Sequence, residues 1–225
     1  MLKPEIKNII EHNRKYGWIM EPEAMQILAL YGIPVPLSSW VQSPDEALQA
    51  ANRIGYPLVA KIVSPKVIHK SDVGGVIVGI RDDQALEAAY RKLEKIDGFS
   101  GVMLAEMVPG LELILGAKMD YQFGPVILLG MGGTGVEIYQ DAVLRMAPLK
   151  EQDVLSMLKS LKAHKLLEGY RGALPVDVSQ MTRLMLAFSQ LVMDLADDFE
   201  SIDINPLKCL GPKCLAADAR IMLKD

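Results

Sequence analysis

The sequence predicts an α/β chain, in the mixed α+β sense, built as two lobes. Three patterns carry that reading: helical and strand-like periods alternate through the first half, strand-like periods follow one another through the second, and a Pro-Gly pair separates the two. The first lobe is expected over residues 1–108 as a small α/β unit, and the second over 109–225 around an antiparallel sheet. Glu106 to Leu111, which holds Pro109 and Gly110, reads as the hinge between them.

The elements follow in order. EPEAMQILALYG is an amphipathic helix stopped by Gly32, and SPDEALQAANRIG is a second, opened by Ser43, Pro44 and Glu46 in capping-box order and closed by Gly55. YPLVAKIV and GGVIVGI are strands, DDQALEAAYRKLEKI is a helix, and VMLAEMV is a further strand. Beyond MVPG the strands LELILGAKMD, PVILLGMG, VEIYQ and AVLRMAP succeed one another, then two long helices and two final strands.

Composition narrows the classes of function. With 225 residues, 50% hydrophobic and 23% charged, the chain has enough apolar surface for a sizeable core. A net charge of −4 lacks the basic footprint of a nucleic-acid binder. No apolar run approaches the roughly 20 residues of a membrane span, and MLKPEIKNIIEHNRKYG lacks the apolar centre of a signal peptide, so a cytoplasmic location is expected. Cys209 and Cys214 have no cysteine or histidine beside them to form a zinc site, and free thiols are expected in that compartment. His12 and His164 fall in charged helical segments and read as surface residues.

GMGGTG, residues 130–135, fits the dinucleotide fingerprint G-x-G-x-x-G after a strand, but VEIYQDAVLRM continues it with a period of two and opens no helix. A loop that lets the backbone approach a ligand or another element closely fits better.

EAMQILALYGIPVP followed by IGYPLVAKI resembles the opening of ATP-grasp proteins. More narrowly, SPKVIHKSDVGGV, LAEMVPGLELILG, FGPVILLGMGGTGVE, LLEGYRG and IDINPL with AADARI resemble the β subunit of ADP-forming acyl-CoA synthetases of the acetate type, in the same order from about Glu21 onward. The resemblance implies a two-lobed ATP-grasp fold with the nucleotide and metal site at the lobe interface, ATP/ADP and Mg2+ as cofactors, and the reaction acyl-CoA + ADP + phosphate to acid + CoA + ATP. It also implies a CoA-binding α subunit as partner and a hetero-oligomer. Lys61 occupies the place of the lysine that reaches the ATP phosphates, the hinge Glu106, Met107 and Val108 presents backbone groups to adenine, and Glu112 takes the ribose hydroxyls.

Elementary chemistry supports several of these placements. Lys61 lies in the apolar strand VAKIV, where a charge is costly unless it meets a partner, lines a cleft or snorkels from an edge. Glu106 and Glu112 have a plainer reading as surface strand residues. Arg145 in AVLRMAP and Arg171 in LLEGYRG are candidates for phosphate oxygens, with structural ion pairs as the alternative. A hairpin centred on Gly211 and Pro212 sets Asn205 opposite Asp218, Asp203 opposite Arg220 and Cys209 opposite Cys214. An amide oxygen and a carboxylate side by side suit magnesium, and the resemblance names the same pair as its ligands. Asp203 reads instead as half of a cross-strand ion pair.

His69 stands between polar and glycine residues with no period that would bury it. A neutral imidazole can attack phosphorus and carry the phosphoryl group, with Lys61 and Lys70 supplying positive charge and Gly74 and Gly75 letting the loop move. The expected function is therefore transfer of phosphoryl between a phosphohistidine and ADP. A standalone ATP-grasp carboxylate ligase would share Lys61, Asn205 and Asp218 without needing His69, and a nucleotide-sensing module would lack the transfer.

Overall fold

The computed structural model describes residues 2–133 and 141–224. Its contacts divide the chain into two units, one of residues 20–22 and 36–108, the other of residues 1–19, 23–35 and 109–225. The chain passes from the one unit to the other after Val108, and most of the first 35 residues group with the carboxy-terminal unit. No helix among the described residues is long and apolar enough to cross a membrane.

The smaller unit is a four-stranded antiparallel sheet of β2 (Ser38–Val41), β5 (Gly101–Glu106), β3 (Leu58–Val63) and β4 (Val76–Ile80), in that spatial order. Two helices, α3 (Pro44–Ile54) and α4 (Asp83–Leu93), supply the apolar stripes that meet it. Leu58, Ala60 and Ile62 of β3 join that core together with Val102 and Leu104 of β5, so Lys61 points to the opposite face. The Ser43 hydroxyl accepts from the Glu46 N–H at 3.2 Å, as expected of an N-cap. The return bond of the box comes one residue early, with Glu46 accepting from the Gln42 N–H at 2.8 Å.

The larger unit holds a seven-stranded antiparallel sheet. Its spatial order is β1 (Trp18–Ile19), β11 (Ala219–Leu223), β9 (Phe199–Leu210), β6 (Leu111–Asp120), β7 (Gly124–Met131) and β8 (Ala142–Met146), with β10 (Lys213–Ala216) also on β9. The remaining helices of this unit are α1 (Pro4–Asn13), most of α2 (Glu21–Leu30), α5 (Glu151–Ser160), the short α6 (His164–Leu167) and α7 (Val178–Asp194). Leu113, Leu115, Ile127, Leu129, Ile202 and Ile204 turn one face of the sheet into a fully buried core. The residues alternating with them form a more open face, hollowed into a groove of about 900 Å³ beside Ile114, Lys118, Phe123, Leu144, Met146 and Asp203.

Two sequence expectations are corrected here. The final strand pattern is not one strand but two, β10 and β11, interrupted at Ala217 and Asp218 while keeping the same register on β9. The two long helices are a 10-residue and a 17-residue helix with the four-residue α6 between them. The strand expected at VEIYQ, 136–140, lies outside the described residues.

Candidate functional site

In the smaller unit the candidate residues gather around a carboxylate that the sequence did not single out. Lys61, 7% exposed, sends its ammonium to Glu21 Oε1 at 2.5 Å. Lys70 brings its Nζ to 3.0 Å from Oε2 of the same carboxylate, whose side chain is 3% exposed. Among the described residues that second oxygen makes no directed hydrogen bond, and it is joined to Lys70 as an ion pair. Glu21 is the first residue of α2, where the unsatisfied N–H groups of a helix start also favour a negative charge. The buried cation expected from VAKIV has thus found a buried anion, as the cost of an isolated interior charge requires.

His69 directly precedes Lys70 and is exposed at the start of the 3-10 turn Lys70–Val73. The chain on its amino-terminal side is tied down. Ser64 Oγ donates to the Asp97 carbonyl at 3.0 Å, Lys66 pairs with the Asp97 carboxylate at 3.1 Å, and Val67 enters the core. On the other side Gly74 adopts the left-handed conformation that ends the turn, at φ 64°. A Cβ at Gly75 would stand 2.4 Å from Ile62 Cγ2 and 2.8 Å from the Lys70 carbonyl oxygen. The glycine pair permits a close turn: the Gly75 N–H donates to Lys70 O at 2.7 Å.

The hinge residues are held by their own unit. Glu106 accepts from the Leu37 N–H at 2.8 Å through Oε1 and donates its own N–H to Leu37 O at 2.9 Å, and the Met107 N–H reaches Pro57 O at 3.3 Å. Val108 is the last residue of this unit. Before β3, the Tyr56 hydroxyl donates to Asp83 at 2.7 Å; burial first, then that carboxylate, pushes its ionisation above the ordinary tyrosine range.

In the larger unit the carboxy-terminal register is as expected. Arg220 lies opposite Asp203 and Cys214 opposite Cys209, and the Asn205 N–H donates to Asp218 O at 3.2 Å. Arg220 and Asp203 form the cross-strand ion pair at 2.9 Å. Between Leu113 and Leu115 the β6–β9 register slips, so Asn205 and Pro206 both face Ile114, and this bulge re-aims Asn205 into an exposed position. Among the described residues no three His, Cys, Asp or Glu side chains cluster to hold a metal. One carboxylate and one amide oxygen still fit magnesium, which keeps several waters and takes further oxygens from phosphates.

Glu112 pairs with Lys208 at 2.6 Å across β6 and β9, and its carbonyl accepts from the Gly132 N–H at 2.7 Å. A Cβ at Gly132 would sit 2.9 Å from the Glu112 carbonyl carbon, so the glycine run does serve close backbone approach; its continuation at 134–140 lies outside the described residues. Arg145 lies opposite buried Ile127 and donates to Ser156 Oγ of α5 at 3.0 Å. It therefore stands on the core side of the sheet, whereas Glu112 and Asp203 stand on the open side with Ile114 and Lys118. Arg171 is exposed in a 3-10 turn, at φ 54°, with its guanidinium 5.2 Å from the Tyr170 ring centre. His164 is half-buried, its Nδ1 3.0 Å from Leu161 O, not a plain surface residue.

The expectation of free thiols is overturned: Cys209 and Cys214 are joined as a disulfide. They form the second pair back from the two-residue turn, where directly opposed residues approach most closely, and their Cα atoms are 4.2 Å apart.

Comparison with known proteins identifies the family of the chain. The family model for the ATP-grasp domain matches residues 11–223. The chain is 40% identical over 213 residues to the β subunit of acetate–CoA ligase [ADP-forming] I of Pyrococcus furiosus, covering 91% of each. It is 40% identical to the 4-hydroxybutyrate–CoA ligase [ADP-forming] of Nitrosopumilus maritimus, of whose length it spans 31%. Among solved structures it is similar to the dinucleotide-forming acetyl-coenzyme A synthetase 1 of Ca. Korarchaeum cryptofilum in complex with coenzyme A, Ca-AMPCP and HgCl+. That match has a TM-score of 0.91 and 36% identity, and covers 97% of this chain and 99% of the other. A second structure of that synthetase, with coenzyme A and Mg-AMPPCP and its phosphohistidine segment pointing towards the nucleotide binding site, gives a TM-score of 0.85 at 36% identity, covering 97% of this chain and all of the other. The chain belongs to the ATP-grasp domain family, in the group that includes the β subunits of ADP-forming acetate–CoA ligases.

Proposed function

We propose that this chain is the nucleotide-binding subunit of an ADP-forming acid–CoA ligase and transfers a phosphoryl group between His69 and ADP. The observation that carries the reading is the exposed His69 fixed beside Lys70, which shares buried Glu21 with Lys61. From phosphohistidine, the nitrogen–phosphorus bond breaks as an oxygen of the ADP β-phosphate bonds to phosphorus. The imidazole nitrogen keeps the electron pair, and ATP leaves. Lys61 and Lys70 steady the charge on the transferring oxygens, an effect that grows where water is scarce. Glu112 and the 106–108 hinge orient the nucleoside, and Arg145 and Arg171 are the remaining candidates for phosphate contact. Asn205 and Asp218 would hold Mg2+, which offsets the charge of the polyphosphate.

The overall reaction, acyl-CoA with ADP and phosphate going to acid, CoA and ATP, needs a CoA-binding α subunit and hence a hetero-oligomer. The relative named as subunit β and the longer relative of which this chain spans 31% both support that division of labour. This reading sets the enzyme in the cytoplasm with its nucleotide and CoA substrates. Incubation with Mg2+ and ATP labelled at the γ-phosphate tests it: acid-labile, base-stable phosphate on the chain is expected, and a chain that stays unlabelled would overturn it.

A further inference from the structure

We infer that Glu21 is a positioning residue for phosphoryl transfer, which acts through Lys70 to set the place of His69. The inference rests on His69 being the phosphoryl carrier. Glu21 touches neither the imidazole nor any reacting atom in this reading, and its two carboxylate oxygens are divided between two lysines. Lys61 is hydrogen-bonded to Oε1 and belongs to a strand paired on both sides, so it is a fixed point. Lys70 is joined to Oε2 as an ion pair. The strand therefore fixes Glu21, and Glu21 fixes Lys70.

The loop geometry makes that chain of contacts matter for the histidine. Upstream, Ser64, Lys66 and Val67 are anchored to the Asp97 turn and the core. Downstream, the Gly75 N–H donates to the Lys70 carbonyl and the Gly75 carbonyl accepts from the Ile62 N–H at 2.8 Å. Ile68 and His69, both exposed, are what remains between the anchors. Neighbouring Cα atoms are about 3.8 Å apart, so holding Lys70 confines the Cα of His69 to a small arc.

The test compares wild type with Glu21→Gln, Glu21→Asp, Lys70→Met and the Glu21→Gln/Lys70→Met double variant. The readouts are the rate of His69 phosphorylation at saturating MgATP, MgATP affinity by calorimetry, and thermal unfolding. Glu21→Gln should slow phosphorylation roughly 10- to 100-fold, the scale of a misplaced reacting group. MgATP affinity should hold or rise, because no carboxylate then competes with phosphate for Lys61. The double variant should be no slower than Lys70→Met alone, since both substitutions break one link. Glu21→Asp keeps the charge but withdraws it by one methylene and should fall between; it decides the matter if Glu21→Gln does not fold. A wild-type rate in Glu21→Gln or, failing that variant, in Glu21→Asp would overturn the inference, as would a double variant that loses the product of both single effects. If wild type itself forms no phosphoenzyme, the reading of His69 fails first and this role falls with it.

Discussion

Asn205 and Asp218 face each other across β9 and the break between β10 and β11, the Asn205 N–H donating to Asp218 O at 3.2 Å. The bulge opposite Ile114 leaves Asn205 exposed, and Asp218 is half-buried beside it. If this pair holds magnesium, Asp218→Asn should weaken MgADP binding by roughly 10-fold or more, the scale on which even outer-shell partners of a metal count. Asp203→Asn breaks only a partly exposed ion pair with Arg220 and should change binding far less. Calorimetric titration with MgADP, repeated without the metal, checks both; an Asp218→Asn titration that matches wild type would remove the pair from the account.

The two glycines after His69 should differ in what they tolerate. Gly75→Ala drives a methyl to 2.4 Å from Ile62 Cγ2 and should cost about 1–3 kcal/mol as overpacking. Gly74→Ala meets no atom of the described residues within 4 Å but must hold φ at 64°, which costs about 1–2 kcal/mol. Thermal or denaturant unfolding separates the two if paired with Ile62→Ala, which removes the Cγ2 that the new methyl meets: Gly75→Ala with Ile62→Ala should cost less than the sum of the single effects, whereas Gly74→Ala should add to Ile62→Ala.

Arg171 holds a left-handed backbone that glycine adopts without strain. Arg171→Gly should therefore leave stability unchanged or raise it by about 1 kcal/mol. If the guanidinium meets phosphate, nucleotide binding should fall in the same variant. A gain in unfolding midpoint with unaltered nucleotide affinity would assign Arg171 to the loop alone.

For the hairpin, alkylation of the unfolded chain without reductant should find neither Cys209 nor Cys214 free. Reduction should lower stability by about 2 kcal/mol, the entropy of so short a closed loop. Two alkylated thiols in protein purified without reductant would contradict the pairing.

What the sequence disclosed, and what it hid, follows from the range of each signal. The β9 register was legible because Gly211 and Pro212 mark a turn that fixes every pair behind it, down to Arg220 opposite Asp203. Lys61 was legible because a cation inside VAKIV violates the local pattern. Glu21 was not, since an acidic residue opening a helix looks ordinary and its partners lie 40 and 49 positions away. AVLRMAP offers Arg145 to phosphate oxygens or to an ion pair, but which side of the sheet it takes depends on its pairing with Ile127, which no local pattern states. The grouping of most of the first 35 residues with the second unit was hidden for the same reason: β1 pairs with β11, some 200 positions on.

The central claim is that His69 carries the phosphoryl group, and His69→Asn tests it most directly, because asparagine keeps a polar side chain but cannot form a phosphoramidate. Wild type and variant are incubated with Mg2+ and γ-labelled ATP, alone and with a CoA-binding α subunit, and protein-bound label and turnover are measured together. The account predicts that the variant binds MgATP, since Lys61 and the Asn205–Asp218 pair are untouched, yet forms no base-stable phosphoenzyme and loses the overall reaction. A His69→Asn chain that is labelled, or that turns over with its partner at near the wild-type rate, would contradict it.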